Sequence, residues 1–478
     1  MAVLSNLQPQ KVFEYFEKLC SVPHGSGNTK IISDLCVSFA KELGLKYRQD
    51  ELNNVVIWKD ASMGYENAAP IILQGHIDMV CVKTEDCTKD METEGLDVET
   101  DGEWVWAKNT SLGGDDCIAV AMALAILADD TLPHPAIEAV FTVDEETGMD
   151  GAFGLDCSDL KGRMLLNLDS EEEGVFTVSC AGGLHSECFL AGRKLPLDGE
   201  ACYALHIDGL LGGHSGAEID KGRASANQQM GRVLYTAMER FPGLRLADIR
   251  GGRFHNVICP KNDALVAVPA VYAADFEAFI REFDAVLKNE YVGCDDGICL
   301  KCEKTAFDAA LGVETTSRML HTLLALPQGV QAMNVDFKGL VQTSLNLGVM
   351  SMEDDGLHFT LSIRSCIASQ KAMIAQRIRA IIELAGGVVE ENAAYPGWQY
   401  RKDSVLRERV VEAYRTVSGR EGGITATHGG LECGLFIEKM PDLDAVSIGP
   451  ELHDIHSVKE RLNVASTERL YALVREVL

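Results

Sequence analysis

Residues 71–78 read Ile-Ile-Leu-Gln-Gly-His-Ile-Asp. The apolar run from Pro70 to Leu73 has strand character, and it leads into a histidine and an aspartate two residues apart. Such residues project to the same side of a strand end, so His76 and Asp78 can act together. His76 then reads as a metal ligand and Asp78 as the acceptor of its other ring proton, which fixes tautomer and orientation. A buried hydrogen-bonded pair would look the same, so the reading depends on what the rest of the chain supplies.

Three further strands lead toward acids or histidines. Ile137–Val143 runs into Asp144-Glu145-Glu146, three consecutive carboxylates whose repulsion calls for a cation or solvent. Met164–Leu168 is followed by Asp169, and Leu443–Ile448 precedes a segment holding His453 and His456. Between the His76 segment and Ile137, Ser111-Leu-Gly-Gly-Asp115-Asp116 opens an Ala-rich helix over Cys117–Leu127. Acids there serve as ordinary caps, but the two oxygens of Asp115 can also bridge two cations. In open α/β sheets, sites form beyond the carboxyl ends of the strands, where these residues fall. One His-x-Asp, several strand-end acids and a distant histidine form a donor set suited to paired zinc ions. Two such metals hold a hydroxide and polarise a carbonyl together. Glu146 reads as a ligand and Glu145 as the general acid/base that passes the water's proton to a leaving amine. Spacing alone does not choose between His453 and His456.

Outward from these segments, helices are expected at Gln8–Cys20, Lys30–Leu43 and Val405–Ser418, with a strand at Asn54–Trp58. Strands alternating with helices predict an α/β fold with a mainly parallel sheet wrapped by helices. From about Leu184 the pattern changes to a strand-strand-helix unit that occurs twice. Phe254–Cys259, Ala264–Ala270 and Asp275–Lys288 form one copy; Ser344–Val349, His358–Cys366 and Lys371–Ala385 form the other. Asn256 and Asn346 occupy matching places. A chain of 478 residues exceeds one ordinary core. The expected organisation is a catalytic domain split between 1–183 and 394–478, with an internally duplicated α+β domain inserted at 184–393.

Composition narrows the function classes. A net charge of -29 argues against nucleic acid and anionic membrane partners, both of which need clustered Lys and Arg. No run reaches the ~18 apolar residues needed to span a bilayer, and no export signal opens the chain. Fifteen scattered cysteines read as reduced thiols of a cytoplasmic protein rather than a disulfide framework.

Taken in order, these segments resemble the M20 metallopeptidase family, in its aminoacyl-histidine dipeptidase (Xaa-His dipeptidase) branch. The resemblance covers essentially the whole chain, from Gly75-His76-Ile-Asp78 through Leu-Gly-Gly-Asp115, Glu145-Glu146-Thr-Gly and His456-Ser457. Gly-Gly-His214-Ser-Gly-Ala and His428-Gly-Gly-Leu-Glu432 add branch-level detail. It implies a zinc-dependent exopeptidase-like catalytic domain with the inserted domain as a lid. Asp115 would bridge two divalent ions, Zn2+ in the first instance, with Mn2+ or Co2+ as alternatives. His76 and Asp169 would complete one ion, and Glu146 and His456 the other. Asp78 would orient His76, and His214 would stabilise the oxyanion. Asn256 and Arg364 would contact a small peptide substrate, and Glu432 would receive its amine. Asp116 departs from the family's usual Asn. The duplicated lid leaves two arrangements open, His214 acting within its own chain or a homodimer. Three rival functions remain: a two-zinc N-acyl amino acid deacylase, a serine hydrolase built on Gly213-His-Ser215-Gly-Ala, and a non-catalytic binding protein that keeps the fold but not the chemistry.

Overall fold

The computed structural model describes residues 3–478, which divide into two compact units. The first comprises residues up to Ser179 with Tyr400–Ala426 and Leu431–Leu478; the second comprises Cys180–Gln399 and Thr427–Gly430. The divisions lie at 179/180 and 399/400, against expected positions of 183/184 and 393/394.

The first unit is α/β. Its sheet has four parallel strands at the centre, in the order Ile137–Thr142, Ile71–His76, Met164–Asn167 and Asp444–Ser447. Flanking pairings are antiparallel: Val55–Lys59 joins one side, with Lys46–Gln49 beyond it, and Val175–Cys180 joins the other. The central strands carry apolar side chains buried on both faces, as strands covered by helices on both sides must. The chain goes from the His76 strand to a neighbour on one side, then crosses to Met164–Asn167 on the other. Strand order therefore reverses at the His76 strand, the place where such sheets open a crevice.

Gly114–Leu127 packs as an interior helix, apolar all round, with every residue from Cys117 to Leu127 buried. Asp115 and Asp116 have non-helical backbone angles, so the regular helix begins at Cys117, as the sequence predicts.

The second unit contains a nine-stranded sheet, and its topology makes the duplication explicit. One copy runs Glu200–Asp208, helix Ala226–Arg240, Arg245–Gly251, Asn262–Pro269, helix Ala273–Glu290, Cys299–Lys304. The other runs Gly182–Ala191, helix Val313–Ala325, Val341–Met352, Gly356–Ser365, helix Ala368–Leu384, Val388–Tyr395. Within each copy the spatial order is third-fourth-first-sixth element, and the copies join edge to edge where Arg250 pairs with Ser351. The first copy is thus inserted after the opening strand of the second. The expected strand at Phe254–Cys259 is a correction: those residues form a turn with one isolated bridge at Val257, and the strand lies earlier, at Arg245–Gly251. Arg253 and Phe254 are exposed, whereas Arg245–Ala247 and Ile249 are buried, so the core contacts lie upstream of the aromatic that suggested a strand.

Among the described residues no two cysteines form a disulfide. Cys299 and Cys302 have CxxC spacing, but they stand three apart on one strand and so point to opposite faces. Among the described residues no helix is long and apolar enough to cross a membrane.

Candidate metal centre

His76 is the last residue of its strand and is 1% exposed. Its Nε2 lies 3.2 Å from Asp115 Oδ1 and 3.8 Å from Asp169 Oδ1. Asp115 turns its other oxygen, Oδ2, to His456 Nε2 at 3.2 Å, and His456 Nε2 also lies 2.9 Å from Glu146 Oε1. One carboxylate therefore faces two histidines, each with a further acid beside it. His76, Asp115, Glu146, Asp169 and His456 are brought together from four strand ends and one helix start.

Glu146 Oε1 is buried and makes no hydrogen bond despite the nearby imidazole, so the contact has the proximity of ligands rather than the direction of a donated proton. The cluster gathers many carboxylates, and their ion pairs are with His76 and His456. Nitrogen and carboxylate oxygen donors in two overlapping groups fit two divalent cations, whose charge would relieve that repulsion. Asp116 also comes within reach of His76 and Asp169. However, Asp116 Oδ2 already accepts the His76 backbone N–H at 3.3 Å, and burial raises its carboxyl well above the usual range. Of the two acids, only Asp115 has oxygens that reach both histidines.

Protonation follows the same charges. Burial opposes ionisation of Asp115, but the His456 and His76 contacts outweigh it and hold this carboxyl low. His456 is raised to about 10, first by Asp115 and then by Glu146. Burial lowers His76, but contacts with Asp115 and Asp78 reverse that and raise it. Glu145 is pushed up to about 8, chiefly by burial, with Glu432 and Glu146 adding to the effect.

Asp78 touches His76 through both its main chain and its carboxylate. The His76 Nδ1 is 3.0 Å from the Asp78 backbone carbonyl and 3.4 Å from its Oδ1. The carboxylate also accepts the backbone N–H groups of Glu145 at 3.2 Å and Glu146 at 3.4 Å, and the Ser26 hydroxyl at 2.8 Å. The carbonyl and the carboxylate of Asp78 both face the histidine ring, and the carboxylate also fixes the acidic turn.

His453 lies apart from the cluster, bound to Glu451 at 2.7 Å and packed on Trp104. Glu432 is fully buried, with Oε2 accepting from Gln74 at 2.6 Å and Thr142 at 2.7 Å. Its other oxygen, Oε1, is buried without a hydrogen-bond partner.

Sequence reasoning missed Glu460. This carboxylate is 3% exposed and accepts the backbone N–H groups of Leu112 at 2.9 Å, Gly113 at 3.3 Å and Gly114 at 2.8 Å. It ties the loop that presents Asp115 to the turn that presents His456. A lone glutamate in a loop carries no periodic signal; its position four residues after His456 was the available clue.

The second unit holds the remaining candidates. His214 pairs with Val257 in a bridge, and the Ser215 N–H donates to the Asn256 carbonyl at 2.8 Å. Nδ1 of His214 accepts the Ala217 N–H at 3.2 Å, which leaves Nε2 to carry the proton of the neutral ring. Arg364 reaches Tyr395 OH at 3.3 Å, and its buried Nε has no partner. His185 and His255 stack at 3.9 Å, and His428 meets Ser344 Oγ at 2.7 Å. Both His185 and His428 are lowered to about 4, chiefly by burial, with Arg364 contributing. These three histidines were not singled out by spacing. Ser215 Oγ is buried without a hydrogen-bond partner, so no base activates it as a nucleophile.

A family model described as Peptidase family M20/M25/M40 matches residues 72–478. The chain is 38% identical over 481 aligned positions to the cytosol non-specific dipeptidase of Escherichia coli K12, covering 100% of this chain and 99% of the relative. It is similar to the crystal structure of aminoacylhistidine dipeptidase from Vibrio alginolyticus, with a TM-score of 0.94 and 36% identity over 99% of this chain and 97% of that one. Aminopeptidase PepT from Bacillus cereus shares the fold at a TM-score of 0.58 and 15% identity, covering 98% and 99% of the two chains.

Proposed function

Because the chain belongs to peptidase family M20/M25/M40, we propose that it is a cytoplasmic metal-dependent dipeptidase with two divalent ions, most simply zinc. The observation that carries this reading is Asp115, whose two oxygens each stand 3.2 Å from a different histidine. Names of the relatives support free dipeptides, Xaa-His among them, as the substrate class.

His76, Asp115 and Asp169 would hold one ion, and Asp115, Glu146 and His456 the second. Such a pair supplies Lewis acidity at the scissile carbonyl and makes water a nucleophile near neutral pH. Glu145, with a carboxyl shifted by burial toward neutrality, can accept a proton from water and return it to the leaving amine. Asp78 holds the turn carrying Glu145 and Glu146, so the base and a ligand keep a fixed spacing. In the inserted unit, assigned here as the lid, the Nε2–H of His214 would donate to the oxyanion. Arg364 would receive the substrate carboxylate, with Asn256 beside them as a further contact.

The alternative of an N-acyl amino acid deacylase keeps the same centre and changes the substrate. Steady-state hydrolysis of Leu-Gly, Gly-His, β-Ala-His and an N-acetyl amino acid separates the two. Cleavage of the free-amine compounds supports the dipeptidase; cleavage of the acetylated compound alone overturns it.

A further inference from the structure

Beside Glu146 the first unit holds a cavity of about 820 Å³ that the chemistry above does not use. Its walls include Ser26, Met79, Cys81, Met91, Thr93 and Glu146. They come from the turn before helix Lys30–Glu42, from the segment that follows the His76 strand, and from the acidic turn. Residues 77–97 contain no helix or strand, an unusual length for a connection inside a compact domain unless it shapes a site.

This loop is held in place. Asn28 Nδ2 donates to the Glu92 carbonyl at 2.8 Å, Leu96 N to the Cys20 carbonyl at 2.7 Å, and Ser111 N to the Val82 carbonyl at 2.9 Å. The cavity therefore has a fixed frame, while Met79 and Met91 give it a wall that adapts its shape, since methionine is unbranched and polarisable. The charged residues lining it are Glu92 and Glu146, with no Lys or Arg. With Glu146 assigned to an ion, Glu92 is the free charge of the lining, which suits a cationic group and repels a carboxylate.

We propose that this cavity is the subsite for the side chain of the substrate's amino-terminal residue, accepting apolar and basic side chains and disfavouring acidic ones. The inference rests on the dipeptidase reading and adds to it which residue of the substrate is selected and by which loop. Met91 then sets the usable depth, and Glu92 sets the charge preference.

The test is kcat/KM of the full-length, metal-loaded protein and two variants on Gly-Gly, Leu-Gly, Lys-Gly, Asp-Gly and Gly-Leu. Met91→Trp should lower the Leu-Gly to Gly-Gly ratio on the order of tenfold, the scale on which a hydrophobic pocket discriminates, and leave the Gly-Leu to Gly-Gly ratio in place. Glu92→Lys should raise Asp-Gly relative to Lys-Gly. Cleavage with ratios unchanged in both variants, or a Met91→Trp loss that follows the carboxyl-side residue, overturns the subsite alone. Failure of the wild-type protein to cleave any of the five overturns the dipeptidase reading and the subsite with it.

Discussion

The Asp78 carboxylate accepts the backbone N–H of Glu145 at 3.2 Å, so the residue two positions beyond His76 holds the proposed base by its main chain. The second oxygen does the same for Glu146 at 3.4 Å. Asp78→Asn would turn an amide N–H toward one of these donors. Turnover should fall on the order of 10–100-fold, the usual cost of disturbing a partner behind a metal site. Steady-state kinetics with metal analysis checks this; a near-normal kcat would show that the turn keeps its shape without the charge.

Glu145→Gln removes the transferable proton and leaves the assigned ligands in place. Bound metal should be unchanged while kcat drops about 10²–10⁴-fold, the range for losing a positioned acid/base. Substantial activity in this variant would reassign the proton transfer to another group.

Glu460→Ala should weaken metal binding by roughly 10–100-fold, because the loop presenting Asp115 loses the acceptor of its Leu112, Gly113 and Gly114 N–H groups. Metal retained after dialysis against a graded chelator measures the effect. Wild-type retention would limit Glu460 to packing.

Acid should destabilise the metal-free protein through His428. Its folded value is lowered to about 4, by burial first and then by Arg364, from an unfolded value of 6.5. Between those values the unfolded chain binds a proton that the native chain does not, so stability is full above pH ~6.5 and falls as pH drops toward 4. At pH 5 the loss should be about 2 kcal/mol for this residue. Calorimetric melting of metal-free wild-type and His428→Gln protein from pH 7 to 4.5 should show a shallower decline in the variant. Parallel curves would mean that another group sets the acid limit.

Much of this arrangement was legible in the chain because strand-end chemistry is local. The acids after Ile137–Thr142 and Met164–Asn167, and His76 itself, follow apolar runs whose period and length announce a strand. Their convergence follows from parallel pairing, which places the carboxyl ends of those strands side by side. The repeat was visible through its helices, but its first strand was misplaced: the apolar residues of Phe254–Cys259 resemble a strand, and only the tertiary packing shows that Arg245–Gly251 carries the core contacts. Glu460 and the histidines at 185 and 255 were hidden for another reason. Their roles come from partners far away in sequence, such as Glu460 with Leu112 and His185 with His255, and no period records a contact of that kind.

The most direct test of the two-ion centre is to strip the metal, confirm loss of Leu-Gly hydrolysis, and follow its return as Zn2+ is added in measured equivalents. Activity rising to its plateau at about two ions per chain is the result that overlapping ligand sets around Asp115 predict. Full activity in the stripped protein, or a plateau after a single ion, would contradict it.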